Sequence, residues 1–242
     1  MPEASQPSIE SLSAPAEGLS VCAVVPAHNE AGRIGAVLTT LAASPEVDAV
    51  IVVDDGSTDA TLAEASAHIA AQGKQAKVTV IRQSPNRGKG AAMLSGAAQA
   101  ENFDVLLFFD ADLVGLTPAH VRDILAPVTS GAAVMALGVF RGGRGATTLA
   151  QKIAPNISGQ RAIRRDLFLS IPGLGASGYG VELAITNHVL SHGLPMVQVV
   201  LQDVTHPMKE EKLGFVRGFG SRLRMYYQML PQIFRRVFGR RG

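Results

Sequence analysis

Short apolar runs alternate with longer stretches of helical periodicity from Val21 to about Ala136, and this order constrains the fold more than any other feature. Alternation of that kind builds βαβ units around a largely parallel sheet covered by helices on both faces. Val21–Val25 and Ala49–Val53 read as the first two strands, with Ile34, Val37, Leu38 and Leu41 marking one face of a helix over Glu30–Ala43 between them. A helix near Ala60–Ala71, a strand over Val78–Arg82 and a helix near Gly90–Gln99 follow. Val105–Phe109 is apolar on both faces until Asp110, which places it in the middle of the sheet. Later the pattern loosens. Gly131–Val139 reads as a strand, Arg141–Gly145 as a loop, Ile163–Ser170 and Gly180–Ser191 as helices, and Val197–Val204 as a late strand. The expected class is α/β, with a Rossmann-like, mostly parallel central sheet.

The organisation predicted from this is a leader over 1–20, one domain over 21–212, and a C-terminal segment over 213–242; within the domain, 21–139 and 140–212 form two differently built halves. At 242 residues and 47% hydrophobic content the chain is large enough to bury such a core. The leader is rich in Ser, Pro and Glu and has neither the basic nor the apolar region of a secretory signal. A single cysteine, Cys22, excludes an internal disulfide and a cysteine-rich zinc site, and it points to a reducing, cytoplasmic compartment. The formal charge of +2 is a cancellation: residues up to Glu211 carry a net −6, while the stretch from Lys212 onward carries eight basic residues and no acid.

In open α/β sheets ligands bind outside the carboxyl ends of the strands. Four polar clusters follow the apolar runs there: Pro26-Ala27-His28-Asn29-Glu30, Asp54-Asp55-Gly56-Ser57-Thr58-Asp59, Asn86-Arg87-Gly88-Lys89-Gly90, and Asp110-Ala111-Asp112. Each alone has an ordinary reading as a turn or helix start. Together, at one sheet edge, they describe a site. Two carboxylates one residue apart, at Asp110 and Asp112, can coordinate a hard Mg²⁺ or Mn²⁺ ion together with diphosphate oxygens. Asp55 and Glu30 can accept hydrogen bonds from ribose hydroxyls or a base. Lys89 between two glycines can reach a base or a phosphate, or stand as a surface lysine at a helix start. A dinucleotide fingerprint fails at Met93 and a P-loop fails at Gly90.

In order and spacing, these four clusters resemble the family 2 glycosyltransferases over about Val21–Val139. The resemblance implies the GT-A fold, a nucleotide-sugar donor and a divalent metal held by the Asp-x-Asp motif. It implies that Pro26, Ala27 and Glu30 line the base pocket with Asp55 and Ser57 beside it, and that Lys89, Asp110 and Ala111 meet the donor. A second set, Asn156 to Arg165, Gly178-Tyr179-Gly180-Val181-Glu182 and Val204-Thr205-His206, is similar to the branch containing glucosyl-3-phosphoglycerate synthases and, more loosely, polyprenyl-phosphate sugar transferases. That similarity implies that Glu182 lies by donor sugar and acceptor and that His206 completes the metal site with Asp110 and Asp112, Asp112 also counting with Glu182 as catalytic. Glu182 has another reading, as a carboxylate favoured in the first turn of a helix. Gly159, Arg161 and Arg164 are expected at the diphosphate or an anionic acceptor, the arginines alternatively on a solvated helix face.

The expected activity is therefore metal-dependent transfer of a hexose from a nucleotide-diphosphate sugar, UDP-glucose foremost, to a hydroxyl or phosphate acceptor. The alternatives are a nucleotidyltransferase that makes the nucleotide sugar and a polyprenyl-phosphate transferase that uses a GDP-sugar. Arg141–Gly145 is a single Arg-Gly copy without aromatics, so no nucleic-acid partner is expected. From Phe215 the tail sets seven arginines against an apolar face at 219, 223, 226, 230, 233/234 and 237, broken by Pro231. Such a segment either docks peripherally on an anionic membrane at its inner face or packs on the domain or on a second copy in a homodimer.

Overall fold

The computed structural model describes residues 18–72, 77–141, 158–177 and 180–207. Within them seven strands form one sheet in the order β3-β2-β1-β4-β6-β5-β7. The strands are β1 (Val21–Ala27), β2 (Ala49–Asp55), β3 (Val78–Gln83), β4 (Val105–Phe108), β5 (Met135–Arg141), β6 (Arg161–Arg164) and β7 (Met196–Gln202). The first four pair in parallel, β1 lying between β2 and β4. β6 then runs antiparallel between β4 and β5, and β7 returns parallel to β5. The sheet is thus mostly parallel, with the predicted central strand β4 at its middle.

Helices cover both faces because the apolar periodicities face opposite ways. One face buries Ile34, Val37, Leu38 and Leu41 of α1 (Ile34–Ala43), Ala65 of α2 (Thr61–Gln72), and Val121, Ile124, Leu125 and Val128 of α4 (Pro118–Thr129). The other buries Ala92, Met93 and Ala97 of α3 (Lys89–Gln99), Leu167 and Phe168 of α5 (Arg165–Ser170), and Val181, Ile185 and Val189 of α6 (Val181–Ser191). At 0% exposure Cys22 is one of these core residues, and burial, with Asp48 nearby, pushes its thiol up to about 12. It is an inert apolar group, as its place in the first strand implied.

The structure differs from the sequence reading in several elements, three of them for local reasons. The helix expected from Glu30 begins at Ile34, because Asn29 and Gly32 hold positive φ and the amides of Asn29, Glu30, Ala31 and Gly32 are claimed by Ser57, Thr61, Asp59 and Glu64. Helix α4 has no counterpart in that reading; Thr117 caps it with Pro118 in its first turn, while Pro127 near its end interrupts the helical signal. The helix expected over Ile163–Ser170 starts only at Arg165, since residues 161–164 form β6. The strand expected from Gly131 begins at Met135, and the late strand ends at Gln202.

The leader up to residue 17, the Arg-Gly loop after Arg141, Gly178-Tyr179 and the tail over 213–242 lie outside the described residues. No described helix is long and apolar enough to cross a membrane.

Candidate active site

Because β1 to β4 are parallel, the four polar clusters that follow them arrive at one edge of the sheet. The first two are laced together. His28 donates from Nδ1 to the carbonyl of Asp55 at 2.8 Å, the Ser57 hydroxyl accepts from the amide of Asn29 at 3.0 Å, and the Asn29 side chain accepts from the amide of Thr58 at 2.9 Å. Glu30 bonds Arg33 Nε at 2.8 Å. Asp55 is buried, and its carboxylate accepts from Gln83 Nε2 at 2.6 Å and from the amides of Arg87 and Gly88 at 2.7 and 2.8 Å. Its demonstrated work is to fold the loop after β3 against the loop after β2. Pro26 is half-buried and Ala27 buried at the end of β1, beside this pair of loops.

The loop after β3 delivers Lys89, whose Nζ lies 2.5 Å from Asp110 Oδ1 and 2.5 Å from Glu182 Oε1. Burial works against its charge, but the two carboxylates overcome that and raise its pKa above the usual lysine value. Lys89 stands at the start of α3, as its alternative reading has it, and is a fixed cation between carboxylates from separate elements rather than a solvated lysine. Glu182 occupies the first turn of α6, as its helical reading requires, and still presents its carboxylate to this centre.

Asp110, Asp112 and His206 form the neighbouring cluster, with one ligand atom from each lying within 4.8 Å of the others. His206 Nδ1 is 3.0 Å from Asp112 Oδ1 and its Nε2 is 3.6 Å from Asp110 Oδ2. Burial disfavours the charged imidazole, yet the bond to Asp112 and the charges of both aspartates raise its pKa. An isolated bridge between Val114 and Thr205 ties the loop carrying the aspartates to the segment carrying His206. Two carboxylates and an imidazole at this spacing are an ordinary donor set for Mn²⁺ and acceptable for Mg²⁺.

The remaining site residues enter through the lead-in to β6. The antiparallel register sets Arg161 across from Phe108, so Gly159 falls opposite Asp110. A Cβ on Gly159 would lie 2.7 Å from Asp110 Oδ1 and 2.8 Å from its Cγ, so the bare glycine is what lets the carboxylate sit there. Gln160, fully buried, donates from Nε2 to Asp110 Oδ2 at 3.1 Å and lies 3.2 Å from His206 Nε2. Sequence reasoning did not single out Gln160, because its role depends on strand pairing rather than on a local motif.

The predicted arginines part company here. Arg161 is fully buried and donates to the carbonyls of Ser158 and Glu182; burial lowers its pKa to about 10 against the pull of Glu182 and Asp110. It underlies the site and bonds its backbone. Arg164 pairs with Val105 at the opposite end of β4 and is not brought together with the others. Neither the diphosphate expectation nor the alternative of a solvated helix face keeps the two together, because residues of a strand spread along the sheet.

Comparison with known proteins agrees with this geometry. The sequence profile described as glycosyl transferase family 2 matches residues 22–181. The glucosyl-3-phosphoglycerate synthase of Mycolicibacterium paratuberculosis is 29% identical over 208 residues, covering 73% of this chain and 62% of that protein. The chain thus spans less than two thirds of that relative's length. A crystal structure of the Mycobacterium tuberculosis glucosyl-3-phosphoglycerate synthase with Mn²⁺ and UDP-glucose superposes with a TM-score of 0.71 at 27% identity, covering 95% of this chain and 83% of that one. Another, with Mn²⁺, UDP-glucose and phosphoglyceric acid, gives a TM-score of 0.64 at 30% identity over 86% of this chain and 79% of that one. The sheet is the GT-A fold of these neighbours, and the chain belongs to glycosyl transferase family 2.

Proposed function

We propose that this protein transfers glucose from UDP-glucose, in the presence of Mn²⁺ or Mg²⁺, to a hydroxyl of a small phosphorylated acid of the phosphoglycerate kind. The observation that carries the reading is the convergence of Asp110, Asp112 and His206 beside the Lys89–Glu182 pair at the carboxyl edge of the parallel strands. That donor set, with a glycine cleared for Asp110 and a buried amide aimed at two of the three ligand atoms, fits a hard divalent ion. When bound, such an ion offsets the charge of the departing diphosphate. The relatives bound to Mn²⁺ and UDP-glucose support the same choice of metal and donor.

The protein's own groups divide the remaining work. Pro26, Ala27, Glu30, Asp55 and Ser57 shape the recess for the nucleoside, and the hydrogen bonds that lock the two loops keep it formed before the donor arrives. Lys89 supplies a cation next to the metal trio and bonds the Glu182 carboxylate. A carboxylate so held accepts hydrogen bonds from sugar hydroxyls and can hold the proton of an attacking hydroxyl. Gly159 and Arg161 support the acceptor side from beneath.

The direct test is a thermal-shift screen of nucleotide sugars with Mn²⁺, followed by transfer to 3-phosphoglycerate read as UDP release and as the mass of the glucosylated product. UDP-glucose should raise the melting temperature most; a ligand at about 100 times its Kd adds about 2.7 kcal/mol of stability. If no nucleotide sugar shifts the melt with either metal, the donor assignment is wrong. Pyrophosphate release from UTP and glucose 1-phosphate would favour the nucleotidyltransferase alternative.

The basic segment over 213–242 is proposed as a docking element for an anionic membrane surface, on the strength of its charge and apolar spacing. Vesicles containing phosphatidylglycerol should sediment the full chain at low salt. Deleting 215–242 should abolish that while leaving turnover of soluble substrates unchanged; loss of turnover would make the segment part of the core.

A further inference from the structure

We infer that Gln160 is a positioning residue for the metal centre, fixing the orientation of the Asp110 carboxylate. The inference rests on the metal reading above and adds to it a residue outside the Asp-x-Asp motif.

Gln160 is fully buried, and its side-chain nitrogen stands 3.1 Å from Asp110 Oδ2 and 3.2 Å from His206 Nε2. An amide nitrogen carries two hydrogens and no acceptor. The reverse orientation of the amide would set its oxygen against an ionised carboxylate, so the chemistry of Asp110 decides which end faces it. With the nitrogen there, a hydrogen goes to Asp110 Oδ2 while Lys89 holds Oδ1, so the carboxylate is fixed through both of its oxygens.

The arrangement also accounts for an otherwise awkward group. Gln160 Oε1 is buried with no hydrogen-bond partner among the described residues. An unpaired buried amide oxygen is unfavourable, and it is the price of turning the donor end toward the two ligand atoms. The backbone holds the residue itself in place, since the carbonyl of Gln160 accepts from the amide of Gly138 at 2.8 Å and a Cβ on Gly138 would lie 3.0 Å from the Gln160 Cβ. The result is a neutral donor that keeps the Asp110 carboxylate aligned within the metal trio. Aligning ligands in advance in this way typically changes metal affinity by about 10- to 100-fold.

The test measures Mn²⁺ binding to the full chain by calorimetry, without nucleotide, for wild type and Gln160→Met, which keeps the volume and removes the donors. Gln160→Ala serves as a second variant should methionine disturb folding, with circular dichroism confirming that each is folded. The expected result is a Kd for Mn²⁺ raised at least about tenfold. The metal-free melting temperature of Gln160→Met should stay at the wild-type value while its Mn²⁺-induced shift shrinks, which a purely structural role would not produce. A Kd within twofold of wild type, or tighter, in a folded variant overturns the inference. Failure of wild type itself to bind Mn²⁺ would instead remove the metal reading and this inference with it.

Discussion

Asp112→Ala should abolish metal-dependent transfer while leaving the domain folded. Asp112 sits at the site with 8% of its surface exposed, and its Oδ1 bonds His206 Nδ1. Removing the carboxylate takes away one ligand and the partner that orients another. Losing preorganised charge at a reacting centre costs about 10²- to 10³-fold in turnover, and here two ligands are affected at once, so the loss should lie at the upper end. Asp112 is outside both apolar clusters, so circular dichroism of the metal-free protein should be unchanged while the Mn²⁺-induced thermal shift disappears. Turnover within tenfold of wild type at saturating metal would sink the assignment of this residue.

The second large effect is expected from a single methyl group. In Gly159→Ala the new Cβ would fall well inside contact distance of the Asp110 carboxylate. The carboxylate cannot simply turn aside, because Lys89 holds Oδ1 and Gln160 holds Oδ2. Either those bonds break or the lead-in to β6 backs away and carries Gln160 with it. A displacement on the order of 1 Å at a reacting centre costs about 10²-fold in rate, and overpacking of this kind destabilises by about 1–3 kcal/mol. Activity should fall about 100-fold, with the urea midpoint shifted by the smaller stability loss. Unchanged kinetics would show that Asp110 does not need its present position.

The first four strands and their trailing clusters could be read from the sequence because each rests on a local pattern: a run of mostly apolar residues, then charged and turn-forming residues. Parallel pairing does the rest, bringing Glu30, Asp55, Lys89 and Asp110 to one edge without any long-range detail. His206 and Glu182 were reachable only through resemblance, since an isolated histidine or a first-turn glutamate carries no signal of its own. What escaped was set by pairing. Arg161–Arg164 has only two apolar residues between its arginines, too few to show a period of two, and it runs straight into a helix. A helix read from Ile163 leaves Arg161 and Gln160 in no element, so the pairing that brings Gln160 to Asp110 is not visible from the sequence. Helix α4 escaped for a different reason, as its proline at position 127 reads as a stop.

Placing β6 between β4 and β5 also governs how the molecule can be made. As the chain leaves the ribosome, β5 emerges with neither neighbour available, since both of its partners, β6 and β7, are synthesised later. The first four strands can assemble as they appear, but β4 keeps an open edge until residues 161–164 arrive and close it. Chains truncated near residue 140 should therefore keep the laced loops of the proposed nucleoside recess but lack His206 of the proposed metal centre, and the exposed edge of β4 makes them prone to pair with one another.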